Sequence, residues 1–365
     1  MKTFQPAGEP PSPPLLPPWE GGGGSVSVVV VVRNEAGNIV NLLEDLNRQT
    51  YPTGQFEVIV VDDGSTDDTF GLVTRFVEKA GYPLRLFSLS TDSPALSPKK
   101  RGITEAIRIA RGELIVTTDG DCRVGTAWLA LIAHGYRDRR ARLISGAVTF
   151  EGERNLLEKM QTVEFASLMG SGACALQWGL PTMCNGANLA YPKAVFEEVG
   201  GFTGIDHLAS GDDELLMHKI ARRYPGRIFF LRHPASVVRT RAQPTHGDLY
   251  QQRKRWASKW KAYRDWKVSG LAVFIFLSNL SLLVAAGSWA VGEYPLSAFL
   301  LQAWVKLSVE FPPLALFLGY LHPTNRARRR TALIPLVQLV YPFYVVFFGL
   351  AAQRKGFVWK GRKMR

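Results

Sequence analysis

Apolar and polar positions divide this chain into two unlike parts. From residue 25 to about residue 120, short apolar runs alternate with amphipathic stretches, and beyond residue 270 the apolar positions become nearly continuous. Val26–Val32 is an almost unbroken β-branched run, the pattern of a strand buried on both faces. Helical spacing over 39–49 leads to a second apolar run at 56–61. A helix over 69–80, a strand near 84–89, a helix over 99–110 and a strand at 114–118 follow in turn. Strands alternating with helices predict a mostly parallel sheet with right-handed crossovers. Ligands of such sheets bind beyond the carboxyl ends of the strands. Three of the predicted strands run directly into charge there, at Glu35, Asp63 and Asp119.

The apolar part offers three segments. Residues 271–291 are uncharged and about long enough to cross a bilayer. Residues 296–320 carry Lys306 and Glu310, spaced i,i+4 so that they can pair on one helix face. Residues 332–352 are interrupted by Pro335 and Pro342. Placing residues 1–270 in the cytoplasm, three full crossings would leave the basic tail 353–365 on the far side, against the positive-inside rule. One segment is therefore expected to be re-entrant or interfacial, the proline-broken third first of all. The resulting division is a proline- and glycine-rich tail over 1–24, a catalytic domain over 25–250, a basic, aromatic amphipathic segment over 251–270, the membrane region 271–352 and the basic tail.

Charge sharpens this picture. The net charge is +13, and basic residues crowd 253–267, 326–330 and 354–365, beside apolar stretches. That is the distribution of a cytoplasmic membrane face rather than of a nucleic-acid groove, so no nucleic acid is expected as partner. The three cysteines lack paired metal-site spacing, and no apolar core follows Met1, so a reducing, cytoplasmic setting is expected for the first domain. The six histidines show no ligand spacing.

Four short segments carry the candidate chemistry. Asp119-Gly120-Asp121 can turn two carboxylates toward one hard cation, Mg²⁺ or Mn²⁺, beside phosphate oxygens; in isolation it is equally a solvated turn. Asp62-Asp63-Gly64-Ser65 is a good turn and cap sequence, and Asp63 could also accept from a nucleobase N–H. Ser210-Gly211-Asp212-Asp213-Glu214 opens a helix. Adjacent carboxylates there can raise a pKa toward that of a general base, although acidic residues also simply suit a helix N-terminus. Gln252-Arg253-Lys254-Arg255-Trp256 offers a guanidinium for a diphosphate and an indole for stacking. Trp256, Trp260 and Tyr263 also recur at helical spacing, as in an interfacial amphipathic helix over 251–267.

Together, in this order, these segments resemble family-2 glycosyltransferases of the GT-A fold, a Rossmann-like nucleotide-sugar-binding domain, over roughly residues 25–260. Val26–Val32 with Arg33-Asn34-Glu35 resembles the first strand, Asp62 to Ser65 the nucleoside-binding strand end, and Asp119 to Asp121 the metal motif. Pro98-Lys99 with 103–106 is similar to a Gly-Lys-X-X-Ala-Leu segment, departing from it at proline and glycine. Asn185 to Asn188 and Val199 to Phe202 resemble the acceptor side. Asp212-Asp213 stands where membrane synthases carry Glu-Asp, and Gln252-X-X-Arg255-Trp256 matches their Gln-X-X-Arg-Trp.

The resemblance implies an inverting hexosyl transfer in cell-envelope glycan or glycolipid synthesis. The donor would be a nucleotide-sugar, a UDP-sugar first, and the acceptor a lipid, a polyprenyl-phosphate or a growing glycan. Asp213 is the implied base with Asp212 beside it, and Asp119 and Asp121 hold the metal. Glu35, Asp63, Lys99, Asp119, Gln252, Arg255 and Trp256 bind the donor. The implied location is multi-pass in the cell inner membrane, with the catalytic domain in the cytoplasm. A processive polysaccharide synthase, with an export or assembly partner to complete its channel, is the alternative within enzymes. A non-catalytic sugar-nucleotide scaffold is the alternative outside them.

Overall fold

The computed structural model describes residues 25–89, 97–208, 210–263, 265–323, 326–353, 356–359 and 362–364. The tail 1–24 and part of the basic tail lie outside the described residues.

β1 (Val26–Val32) forms as predicted, since β-branched side chains stiffen χ1 and fit a pleated surface. Val28, Val30 and Val32 face one core and Val29 the other, each at most 1% exposed, and each buried valine contributes roughly 1.5–3 kcal/mol. α1 (Ile39–Asn47) lays Ile39, Leu42, Leu43 and Leu46 on the first face. β2 (Phe56–Asp62), α2 (Thr69–Val77) and β3 (Leu84–Ser88) follow. α3 (Pro98–Ile109) then covers the second face with Ile103, Ala106 and Ile107, and β4 (Leu114–Asp119) closes the parallel part.

The remaining elements are α4 (Trp128–Arg139), β5 (Leu143–Gly146), β6 (Val148–Phe150), α5 (Leu156–Gln177), β7 (Leu189–Pro192), α6 (Lys193–Glu198), α7 (Glu214–Arg223), β8 (Ile228–Leu231), β9 (Val238–Thr240) and α8 (His246–Ala257). The main sheet has the order β3-β2-β1-β4-β7-β5-β8 and is parallel except at β7, which runs against both β4 and β5. β6 and β9 pair beside it. This is the mostly parallel α/β sheet that the sequence pattern predicts.

α9 (Trp266–Ala290) and α10 (Leu296–Leu321) form a helical hairpin, with Trp289 stacked on Phe299 at its turn, centroids 6.2 Å apart. The last turns of α10 return to the catalytic body, where Leu314, Leu318 and Leu321 pack with Ala147, Val163 and Val237. α11 (Arg326–Thr331) leads into α12 (Ile334–Ala351), and β10 (Phe357–Trp359) pairs with β11 (Arg362–Met364).

Two helices, α9 and α12, are long and apolar enough to cross a membrane. In α10 the predicted pair is present, Lys306 Nζ lying 2.5 Å from Glu310 Oε2 and 2.8 Å from Gln338 Oε1 of α12. Packing distinguishes α12 from α9. Ile334 and Val337 join the cluster around Ala147, the Tyr344 hydroxyl donates to Glu164 (2.9 Å), and Phe347 and Phe348 stand against Tyr250. It packs against α9 and α10 as well as against α5 and α8.

Two of the basic clusters each hold a buried, paired arginine. Arg330 is 6% exposed and forms a two-pronged pair with Glu153 at 2.8 and 2.9 Å. Arg253 is 2% exposed and paired with Glu164. The amphipathic helix read over 251–267 is also broken: α8 ends at Ala257, and Ser258–Ala262 tightens into a 3₁₀ turn. That turn swings Tyr263 inward, its hydroxyl donating to Glu214.

Candidate active site

Register builds the site. Val32 pairs with Asp62 and Val31 with Asp119, so β1, β2 and β4 end side by side and bring Glu35, Asp63 and Asp119 to one sheet edge. The loops after β1 and β2 are laced together there. Arg33 Nη1 donates to the carbonyls of Asp63 and Gly64, both at 2.6 Å, and Asn34 Oδ1 accepts from the Thr66 N–H at 2.8 Å. The glycine of Asp119-Gly120-Asp121 is required by space, since a Cβ at Gly120 would stand 2.7 Å from Val32 Cγ1.

A cavity of about 1050 Å³ opens on this edge. Glu35, Lys99, Asp119, Asp121, Asp212, Asp213, Gln252, Arg255 and Trp256, all predicted from sequence, line it. Asp63 does not: it is buried at the end of β2, outside the lining. A second depression, of about 1140 Å³ beside β8, holds none of the predicted residues.

Two lysines organise the carboxylates. Lys99 Nζ bridges Asp119 Oδ1 (2.8 Å) and Asp212 Oδ2 (3.1 Å). Lys259 Nζ bridges Asp213 Oδ1 (3.4 Å) and Glu214 Oε2 (3.1 Å). Asp213 caps α7, accepting from the Glu214 N–H at 2.7 Å, and its other oxygen accepts from the Gly186 N–H at 3.1 Å. Burial alone would raise the Asp213 pKa, but Lys259, the Glu214 N–H, Lys99 and the Gly186 N–H outweigh it and hold the carboxyl at about 2. The run of three acids therefore does not raise this group, as the sequence suggested; the cations between the carboxylates reverse the sign. Arg255 is shifted down by burial, against the pull of Asp212, Asp119 and Asp213.

Gly211, at φ 82°, makes the turn that presents Asp212. Lys100, 1% exposed, fixes the loop before it by donating to the carbonyls of Ile205 (2.6 Å), Leu208 (2.8 Å) and Ser210 (2.9 Å). Asp121 accepts from the Thr240 hydroxyl at 3.0 Å. The ligand atoms of Asp119, Asp121 and Cys122 lie within 4.8 Å of one another. Asp119 and Asp121 supply the hard oxygens of this group, beside the buried Cys122 thiol. A pair of hard oxygens on a cavity wall fits Mg²⁺ or Mn²⁺. Trp256 stands 5.5 Å from the Phe165 ring, with the Arg253 guanidinium 4.2 Å above its own, so its indole is fixed at the cavity wall.

Lys259, Tyr263, Lys100 and Thr240 are residues that sequence reasoning did not assign, while Glu214 was read only as one of three adjacent acids. Lys259 had a signal, lying in the same cationic run as Arg255. Thr240, far from Asp121 along the chain, had none.

Residues 27–200 match the model of glycosyl transferase family 2, and residues 114–352 that of glycosyl transferase family group 2. The chain belongs to glycosyl transferase family 2. It is 28% identical over 188 residues to glycosyltransferase AglE of Haloferax volcanii, covering 52% of this chain and 58% of the relative. It is 22% identical over 238 residues to a poly-β-1,6-N-acetyl-D-glucosamine synthase of Staphylococcus epidermidis, covering 64% and 53%. The chain thus spans little more than half the length of these curated relatives. The solved structure of the mannosyltransferase PcManGT from Pyrobaculum calidifontis, in complex with GDP-Man and Mn²⁺, shares the fold. The TM-score is 0.53 at 22% identity, over 90% of this chain and 87% of the other.

Proposed function

We propose that this chain transfers a hexose from a nucleoside-diphosphate sugar to a membrane-associated acceptor, with inversion at the anomeric carbon. The observation that carries the reading is the convergence of Asp119, Asp121, Asp213 and Arg255 on one cavity at the carboxyl edge of the sheet. Neighbours of this fold are solved with a nucleotide-sugar, GDP-Man in PcManGT, which supports a donor of that class.

In this reading the nucleoside lies toward the β1–β2 end, by Glu35, and the diphosphate passes Lys99 and Arg255. Arg255 presents paired N–H donors to the phosphate oxygens, where negative charge develops as the leaving group departs. The acceptor oxygen bonds to the anomeric carbon as the bond from that carbon to the diphosphate breaks, its electron pair going to phosphate. The acceptor proton passes to Asp213, which its cationic and N–H partners keep ionised throughout the neutral range. Asp212 holds Lys99 in place, and Gln252 and Trp256 close the wall beside the sugar. Asp119 and Asp121 would hold Mg²⁺ or Mn²⁺, which when bound neutralises charge on the diphosphate.

For location, we place the α9–α10 hairpin across the cytoplasmic membrane with α12 along its surface. Trp266 and Trp289 stand at the two ends of α9, separated by about 35 Å of helix rise, which suits aromatic anchors at both interfaces. Two crossings return the basic tail to the side of the catalytic domain, in keeping with the positive-inside rule.

The test is release of nucleoside diphosphate from a panel of nucleotide-sugars by protein in lipid, with and without Mn²⁺ or Mg²⁺. Metal-dependent turnover of one donor, lost in Asp213→Asn, is the expected result. Failure to bind any donor would leave the scaffold reading.

A further inference from the structure

We propose that the far end of the catalytic cavity is a slot for the hydrocarbon tail of a lipid acceptor, formed between α9 and α12. This rests on the transferase reading and narrows its acceptor from lipid or glycan to lipid.

The cavity does not stop at the carboxylates. The same space that touches Asp213 and Arg255 continues between the two helices, lined by Val268, Ala272 and Phe276 of α9 and by Tyr344, Val345 and Phe348 of α12. Val268, Ala272 and Phe276 recur every four residues, and Tyr344 and Phe348 are four apart with Val345 beside them, so each set lies along one side of its helix. The stripes meet where Gly349 lets the Phe276 ring approach, since a Cβ there would lie 2.8 Å from Phe276 Cδ2. The opposite faces of these helices point away from the body, with Phe274 67% and Phe343 62% exposed.

Polarity along the cavity selects the occupant. Its catalytic end carries Arg255, Lys259 and the carboxylates, whereas α9 and α12 line it with apolar side chains apart from the hydroxyls of Tyr341 and Tyr344. The Tyr344 hydroxyl is already committed to Glu164. A glycan in this slot would lose water from its hydroxyls and find few partners, at a cost of roughly 1–3 kcal/mol for each unpaired group. A hydrocarbon chain loses nothing there and buries its own apolar surface. Because the slot runs into the catalytic end, a lipid entering between α9 and α12 brings its head group to Asp213. A bulk bilayer lipid, its head at the membrane surface, would have no reason to enter.

The experiment uses the full chain in phosphatidylcholine nanodiscs and a hexadecanol carrying a photoreactive diazirine in its chain, with labelled residues mapped by mass spectrometry. The expected result is labelling concentrated on the Val268–Ala272–Phe276 and Val345–Phe348 stripes, lost on those stripes in Ala272→Trp while nucleotide-sugar binding persists. Labelling confined to the outward Phe274, Phe343 and Phe347 and indifferent to Ala272→Trp would mean bulk bilayer contact and overturn the slot. Protection of the stripes by a soluble cello-oligosaccharide but not by excess unlabelled hexadecanol would overturn it in favour of a glycan channel. Donor binding measured on the same sample separates the two claims. A labelled slot without donor binding sinks the transferase reading alone, and donor binding without a labelled slot sinks this inference alone.

Discussion

The carboxyl edge of the sheet and the outer face of the C-terminal helices use opposite means to hold their side chains. At the sheet edge each key carboxylate is answered by named donors: Asp213 by Lys259 and two backbone N–H groups, Asp212 by Lys99, Asp121 by Thr240. On the outer face of α9, α10 and α12, Phe274, Trp304, Val309, Leu339 and Phe343 are more than 60% exposed. Apolar surface on that scale is the mark of an interaction face. The lesson is that the site is fixed from within, by ion pairs and hydrogen bonds that water would weaken, whereas the helices turn an uncovered apolar face outward. The Arg253–Glu164–Tyr344 chain joins the two regions, fastening α8 to α5 and to α12.

The sharpest way to break this contrast is at the site itself. Asp213→Asn should lower transfer by about 10³-fold while donor affinity, measured by calorimetry, stays near wild type. A larger loss in Asp212→Asn than in Asp213→Asn would exchange their roles. Next comes the fastening between the regions. Glu164→Ala leaves Arg253 buried without its counter-charge, and thermal unfolding in detergent should register a destabilisation of about 3–5 kcal/mol. An unchanged melting temperature would show that α8 is held by other contacts.

Lys259→Met probes the sign of the Asp213 shift. The folded pKa is depressed, so the stabilisation of the ionised form is present above the ordinary carboxylate range and is lost as pH falls toward about 2. Removing Lys259 should move the acid limb of kcat/KM upward by about one pH unit. A limb that stays in place would assign the depression to the Gly186 and Glu214 N–H groups instead. The smallest effect is expected at the exposed Arg75–Asp68 pair, where both side chains are 61% exposed. Arg75→Ala should change stability by less than about 0.5 kcal/mol; a larger loss in urea titration would mean that exposed pairs matter here as much as the buried strut.

Much of this molecule could be read from sequence because the deciding physics is local and periodic. A run such as Val26–Val32 can only be a strand buried on both faces, and its carboxyl end then places Glu35, Asp63 and Asp119 on one edge. The i,i+4 spacing of Lys306 and Glu310 needed nothing beyond helix geometry to predict their pairing. What depended on contacts between distant segments stayed hidden. Lys259 reverses the effect of three neighbouring acids, the 3₁₀ turn at Ser258–Ala262 ends a helix that periodicity would continue, and Arg253 and Arg330 bury charges that composition counts as free. Asp63 fulfils the strand-end pattern yet lies outside the cavity. The crossing count suggested that one apolar segment should not span, the proline-broken 332–352 first of all, but the contacts of α12 with the sheet domain, from Ile334 to Phe348, could not be read from it. Sequence determined the elements and the residue types at their ends, because propensity and period act within a few residues. The sign of a pKa, the burial of a charge and the path of a cavity were decided by tertiary structure, because each is a sum over neighbours that the chain brings together only when folded.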